Sequence, residues 1–272
     1  MPDAEIMVGS LEAILKRDRA VVVVALVGTV VASWAYILAG AGTGMPALGM
    51  SGLPTADGAM ATMQPAPWTA HYAALMLVMW WLMMVAMMLP SSASMILLYA
   101  ALMRKQRQAG APYVPTAVFA AGYLTVWGAF SFAAVVLQWA LGVVALLSPE
   151  MVTTSVAIGA LLLIGAGIWQ LTPLKQACLL HCRSPVLFMA QHWRRGAIGA
   201  WRMGIEHGAY CVGCCWVLML LLFYGGVMNV YWIASLTVAV LVEKTAPAGR
   251  WLSKLVGIGL IGWGIALFVA LL

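Results

Sequence analysis

HYAALMLVMWWLMMVAMMLPSSASMILLYAALM, residues 71–103, contains no Asp, Glu, Lys or Arg and runs into Arg104, Lys105 and Arg107. Such a run is at home in the hydrocarbon of a bilayer, which a helix crosses with about 20 apolar residues. At 1.5 Å of rise per residue it is too long for one straight crossing. Pro90, followed by Ser91, Ser92 and Ser94, supplies a kink and the hydroxyls that satisfy the carbonyls it frees. Met76, Met79, Met83 and Met87 fall within an arc of about 80° on that helix, flanked by Met84 and Met88. Methionine packs irregular gaps between helices well, and its thioether is also a soft metal ligand.

The same signal recurs along the chain. The composition is 64% hydrophobic and 8% charged, where a water-soluble domain carries about 25% charge. The sequence therefore predicts an all-α, polytopic transmembrane helical bundle. It forms one domain of about seven spans, near 20–40, 71–103, 114–147, 151–171, 204–223, 227–242 and 255–272. The first apolar run is longer than a signal-peptide core and follows Asp3, Glu5 and Glu12, so it reads as a retained span. Residues 41–69 read as a loop bearing Met45, Met50, Met60 and Met63, and 172–203 as a polar connection. Thr172-Pro173 is a helix start, with Thr as N-cap and Pro at the first position. Gly159, Gly165 and Gly167 suggest close helix packing. Gly257, Gly259 and Gly262 form a G-x-G-x-x-G, but inside an apolar run it is packing glycine and not a nucleotide loop.

The net charge of +6 does not point to nucleic acid, because the basic residues sit at span ends. With seven spans and a cytoplasmic N-terminus, all fourteen Lys and Arg fall on inner segments. The outer loops then carry none, which fixes the expected orientation.

The chemistry is concentrated in residues 172–216, TPLKQACLLHCRSPVLFMAQHWRRGAIGAWRMGIEHGAYCVGCCW, which hold all five cysteines and three of the four histidines. Cys178, His181 and Cys182 form one cluster; His207, Cys211, Cys214 and Cys215 form another. Spacings of three and four place such residues along one helical stripe. Stripes of thiol and imidazole suit Cu(I), Zn(II) or a redox dithiol. Free cysteines also serve as small buried hydrophobes, though packing alone does not account for five of them beside three histidines. In the expected orientation the thiols face the reducing cytosol, which disfavours a disulfide framework.

Three blocks, WQLTPLKQACLLHCRSP, HGAYCVGCCW and MWWLMMVAMMLPS, resemble the signature blocks of a bacterial family described as predicted metal-binding integral membrane proteins. The resemblance covers the chain from about His71 to the C-terminus. It implies a multi-pass protein of the bacterial inner (cytoplasmic) membrane with a metal site on Cys178, Cys182, Cys211, Cys214 and Cys215.

These residues predict a membrane protein that binds a soft metal ion for transfer, transport or homeostasis. The methionines, Met83, Met84, Met87 and Met88 among them, favour Cu(I) over Zn(II). The expected partners are the lipid bilayer, the metal ion, and a metallochaperone or another membrane protein. Two thiol sites in exchange would pass the ion from Cys178, His181 and Cys182 to Cys211, Cys214 and Cys215 and on to the stripe of Met83, Met84, Met87 and Met88, or in the reverse direction. An enzyme is not expected, since the acidic residues are scattered and no nucleotide loop is present. The rival readings are a membrane thiol-disulfide oxidoreductase and a structural or assembly subunit of a membrane complex.

Overall fold

The computed structural model describes residues 2–42, 67–148 and 151–271, with residues 2–18 described as helix backbone only. Most of the Met-bearing loop expected at 41–69 therefore lies outside the described residues, as do Pro149 and Glu150 of the turn after the third run. Among the described residues ten helices follow one another: α1 (Pro2–Leu38), α2 (Ala70–Gln108), α3 (Thr116–Val143), α4 (Val156–Leu171), α5 (Pro173–Arg183), α6 (Pro185–His192), α7 (Gly196–Leu220), α8 (Leu222–Gly225), α9 (Val230–Thr245) and α10 (Gly249–Val269). Among the described residues there is no strand, only an isolated antiparallel bridge between Leu147 and Thr153. The all-α polytopic bundle is as the hydrophobic runs predict.

The span count is lower than seven. Among the described residues five helical segments are long and apolar enough to cross a membrane: Arg19–Leu38, Ala70–Gln108, Thr116–Val143, Gly196–Gly225 and Gly249–Val269. A sixth is reached only if α4 and α5, bent by 65° where they meet, count as one broken span. The expected span at 227–242 is α9, whose 16 residues reach about 24 Å against a hydrocarbon core of about 30 Å. The run 151–171 loses its first residues to a non-helical turn, and α4 keeps 16. It stops at Leu171 because Pro173 has no N–H to continue the ladder. Thr172 caps the new helix instead, its hydroxyl accepting from the Lys175 N–H.

Other boundaries move for similar reasons. α7 begins at Gly196, not 204, so the end of the polar connection expected at 172–203 forms its first turns. The gap between the expected spans 227–242 and 255–272 shrinks to Ala246–Ala248, because Glu243–Thr245 close α9 and Gly249 opens α10.

Close backbone approach sets the packing. A Cβ on Gly167 of α4 would lie 2.5 Å from the Gly257 carbonyl oxygen of α10. A Cβ on Gly204 of α7 would lie 2.1 Å from the Phe119 carbonyl of α3. Only glycine permits such contact. Gly165, Gly259 and Gly262 meet open space, so not every glycine in the pattern packs. In α2, Pro90 stays inside a continuous helix. Ser91 donates to the Met88 carbonyl at 2.8 Å and Ser92 to the Leu89 carbonyl at 3.0 Å.

Candidate metal centre

The second cysteine cluster lies deep in α7, with about 22 Å of helix between Gly196 and Cys211. Its spacing puts Cys211, Cys214 and Cys215 on the face that α7 turns inward, and all three are buried. The Cys214 and Cys215 thiols both donate to the Cys211 carbonyl, at 3.1 and 3.0 Å, which holds their side chains along the helix. Met88 of α2 meets Cys215, Sδ to Sγ at 3.8 Å. Met83, Met84 and Met87 are buried in the apolar core, and among the described residues Met88 alone of the four is paired with a thiol. Tyr123 of α3 donates to the Met88 carbonyl at 3.1 Å and lies 3.2 Å from Cys211 Sγ.

The first cluster divides. Cys182 turns inward to Cys214, Sγ to Sγ at 4.0 Å, so one of its thiols joins the α7 group. Cys178 is half-buried with its sulfur seated over Gly213. His181 points elsewhere, lying flat on Tyr210 with 4.2 Å between ring centroids. Adjacent residues on a helix differ by 100°, so Cys182 facing the thiols forces His181 off them.

His207, one turn before Cys211, is 2% exposed and sandwiched against Tyr123 and Phe119. Among the described residues neither of its ring nitrogens has a hydrogen-bond partner. Its neighbour Glu206 turns away to pair with Arg194.

Two lysines that the charge pattern reads as span-end residues are buried here. Lys244, at the last turn of α9, donates to Cys211 Sγ at 2.9 Å, Ser91 Oγ at 3.3 Å and Cys215 Sγ at 4.0 Å. Glu243 beside it is engaged elsewhere: Lys175 of α5 pairs with it at 2.7 Å, and Gln170 of α4 donates to it at 2.6 Å. Of the groups Lys244 is bonded to, the sulfurs are the ones that can carry a charge to match its ammonium. Arg183 donates to the carbonyls of Glu243, Ala246 and Pro247, fixing the far end of α5 to the same turn.

Sequence reasoning missed Lys244, Ser91 and Tyr123. The available signal was the charged pair Glu243-Lys244 closing an apolar run. Among the described residues, no three His, Cys, Asp or Glu side chains converge as a ready ligand set. The sulfurs stand in pairs, and the third position beside Cys211 is taken by an ammonium.

A multi-helix membrane bundle with thiols, a thioether and an unpartnered imidazole enclosed between its helices defines a class of polytopic proteins with a soft-ligand centre. Within it, the chain belongs to the PpoB2 copper chaperone family, whose model matches residues 77–267. That range takes in all five cysteines, Met83, Met84, Met87, Met88 and Lys244, and leaves α1 outside. No curated protein and no solved structure matches the chain.

Proposed function

We propose that this chain is a membrane-embedded carrier of Cu(I), which it receives and hands on through the thiols of α7. His207 is the observation that carries this reading. A buried polar group without a partner costs about 1–3 kcal/mol, and a metal ion taking the lone pair of one ring nitrogen relieves that nitrogen's share of the cost. Cys211, one turn further along α7, offers a soft donor on the same face, and Cys215 with Met88 lies one turn beyond that. Membership of a copper chaperone family supports copper as the cargo. The paired sulfurs favour a monovalent ion content with two or three soft ligands over zinc, which takes four in a tetrahedral site.

The ion is cargo, and the chain's own residues do the holding. Cys211 and Cys215 supply charge-bearing sulfur, Met88 a neutral and more easily released one, and His207 an imidazole. Cys182 and Cys214 lie alongside as a second sulfur pair, so the two clusters read from the sequence meet in the fold. Tyr123 and Ser91 hold the Met88 backbone by its carbonyl and keep that ligand in register. We place the protein in the bacterial inner membrane, where a metallochaperone or a membrane partner exchanges the ion. The oxidoreductase reading draws on the 4.0 Å between Cys182 and Cys214, and the test below separates the two.

Protein purified without oxygen is expected to hold copper with sulfur ligands. Cys211→Ser with Cys215→Ser should remove that copper while leaving the protein in the membrane; Cys178→Ser should keep it. Copper content and X-ray absorption measure both. Undiminished sulfur-bound copper in the double variant would overturn the reading. So would a parent protein that binds no copper but cycles a Cys182–Cys214 disulfide.

A further inference from the structure

A second pair of metal-capable side chains stands apart from the thiols. His181 lies at the end of α5 and His192 at the end of α6, and the break at Ser184 between these helices brings the rings to 6.3 Å between centroids. Each ring has one nitrogen engaged in the same way. Nδ1 of His181 meets the Ala177 carbonyl at 2.9 Å, and Nδ1 of His192 meets the Phe188 carbonyl at 3.1 Å. A carbonyl oxygen only accepts, so each Nδ1 carries the proton and donates it. The neutral ring then keeps its lone pair on Nε2. Backbone carbonyls orient metal-binding imidazoles in this manner. Neither Nε2 has a hydrogen-bond partner among the described residues.

Both rings are also held in place. His181 lies at 4° to Tyr210, and His192 lies at 12° to Phe188 with 4.5 Å between centroids. Both histidines are partly exposed, whereas the thiols of α7 are buried. A metal bound to imidazole at about 2 Å lies about 3 Å from the ring centre, so two rings about 6 Å apart are within reach of one ion. Phe188 links this pair to the interior: its ring stacks on His192 and meets the His207 ring edge-on at 5.5 Å.

We propose that His181 and His192 form a separate two-imidazole site for Cu(I), the receiving position from which the ion passes by way of His207 to the α7 thiols. This rests on the reading of the chain as a copper carrier. Two nitrogen ligands hold Cu(I) less tightly than thiolates do, so an ion taken there moves inward by ligand exchange.

The test uses the full chain in detergent, without oxygen, with Cu(I) alone as the probe. The thiol centre is disabled by changing all five cysteines, Cys178, Cys182, Cys211, Cys214 and Cys215, to Ser together with His207→Phe. That protein is expected to bind one remaining Cu(I) with the X-ray absorption signature of imidazole. Adding His181→Phe and His192→Phe, which keep the ring stacking and remove the nitrogens, should abolish it. In the otherwise unaltered chain, the same two changes should slow copper loading at least tenfold and leave the sulfur-bound ion in place at equilibrium. The proposal is overturned if the disabled protein binds no copper, or binds it equally with and without the two histidines. Those results leave the thiol reading standing, since that reading fails only when the unaltered chain shows no sulfur-bound copper.

Discussion

Lys244→Met is expected to weaken Cu(I) binding about a hundredfold, or by about 3 kcal/mol. Two thiolates on one Cu(I) leave a complex with a net negative charge, and between packed helices little water screens it. Lys244 stands 2.9 Å from Cys211 Sγ and 4.0 Å from Cys215 Sγ, where its ammonium offsets that charge. Methionine keeps the apolar stem and leaves the charge unmatched, and breaking a buried pair from one side costs about 3–5 kcal/mol. Lys244→Arg keeps the charge and should lose less. Competition against a chromophoric Cu(I) chelator reads both variants. If Lys244→Met binds as tightly as the parent, the ammonium serves the fold and not the cargo.

The largest loss of stability is expected from Glu243→Gln. Lys175 is fully buried and its side chain faces Glu243 at 2.7 Å. Removing the carboxylate charge strands an ammonium inside the protein, at a cost of about 3–5 kcal/mol. For a chain of this size that corresponds to a fall of about 10 °C in unfolding temperature. Lys175→Met combined with Glu243→Gln removes both charges and should recover most of the loss. Thermal unfolding in detergent measures all three proteins. A double variant no better than Glu243→Gln alone would place the effect in the Gln170 hydrogen bond or in packing.

The helices were legible because apolar runs in a membrane protein have few alternatives, and Thr172-Pro173 announced its own helix start. Span number was less legible. Residues 227–242 are apolar enough to cross, but the helix they belong to has 16 residues, and length decides. The thiol stripe of α7 could be read from spacing alone, since its geometry is internal to one helix. The stripe at Cys178, His181 and Cys182 could not be assigned a direction, because which face of α5 turns inward depends on the 65° bend from α4. Lys244 was read as a charge at a span end, where basic residues ordinarily lie. Its partner Ser91 is 153 positions away, and the contact between Tyr123 and Cys211 spans 88. No local pattern carries such information.

Glu243 and Lys244 are consecutive residues on one helical turn, yet they belong to different assemblies of side chains. One grips the start of α5 through Lys175, while the backbone of the same turn grips the end of α5 through Arg183. The other touches the sulfur of α7. α5 and the tip of α9 are thus clamped together at two points. The turn that touches Cys211 through Lys244 is the same turn that holds both ends of α5, the helix that carries Cys182 and His181. The chain breaks that bound this clamped unit are the bend at Thr172 and the break at Ser184.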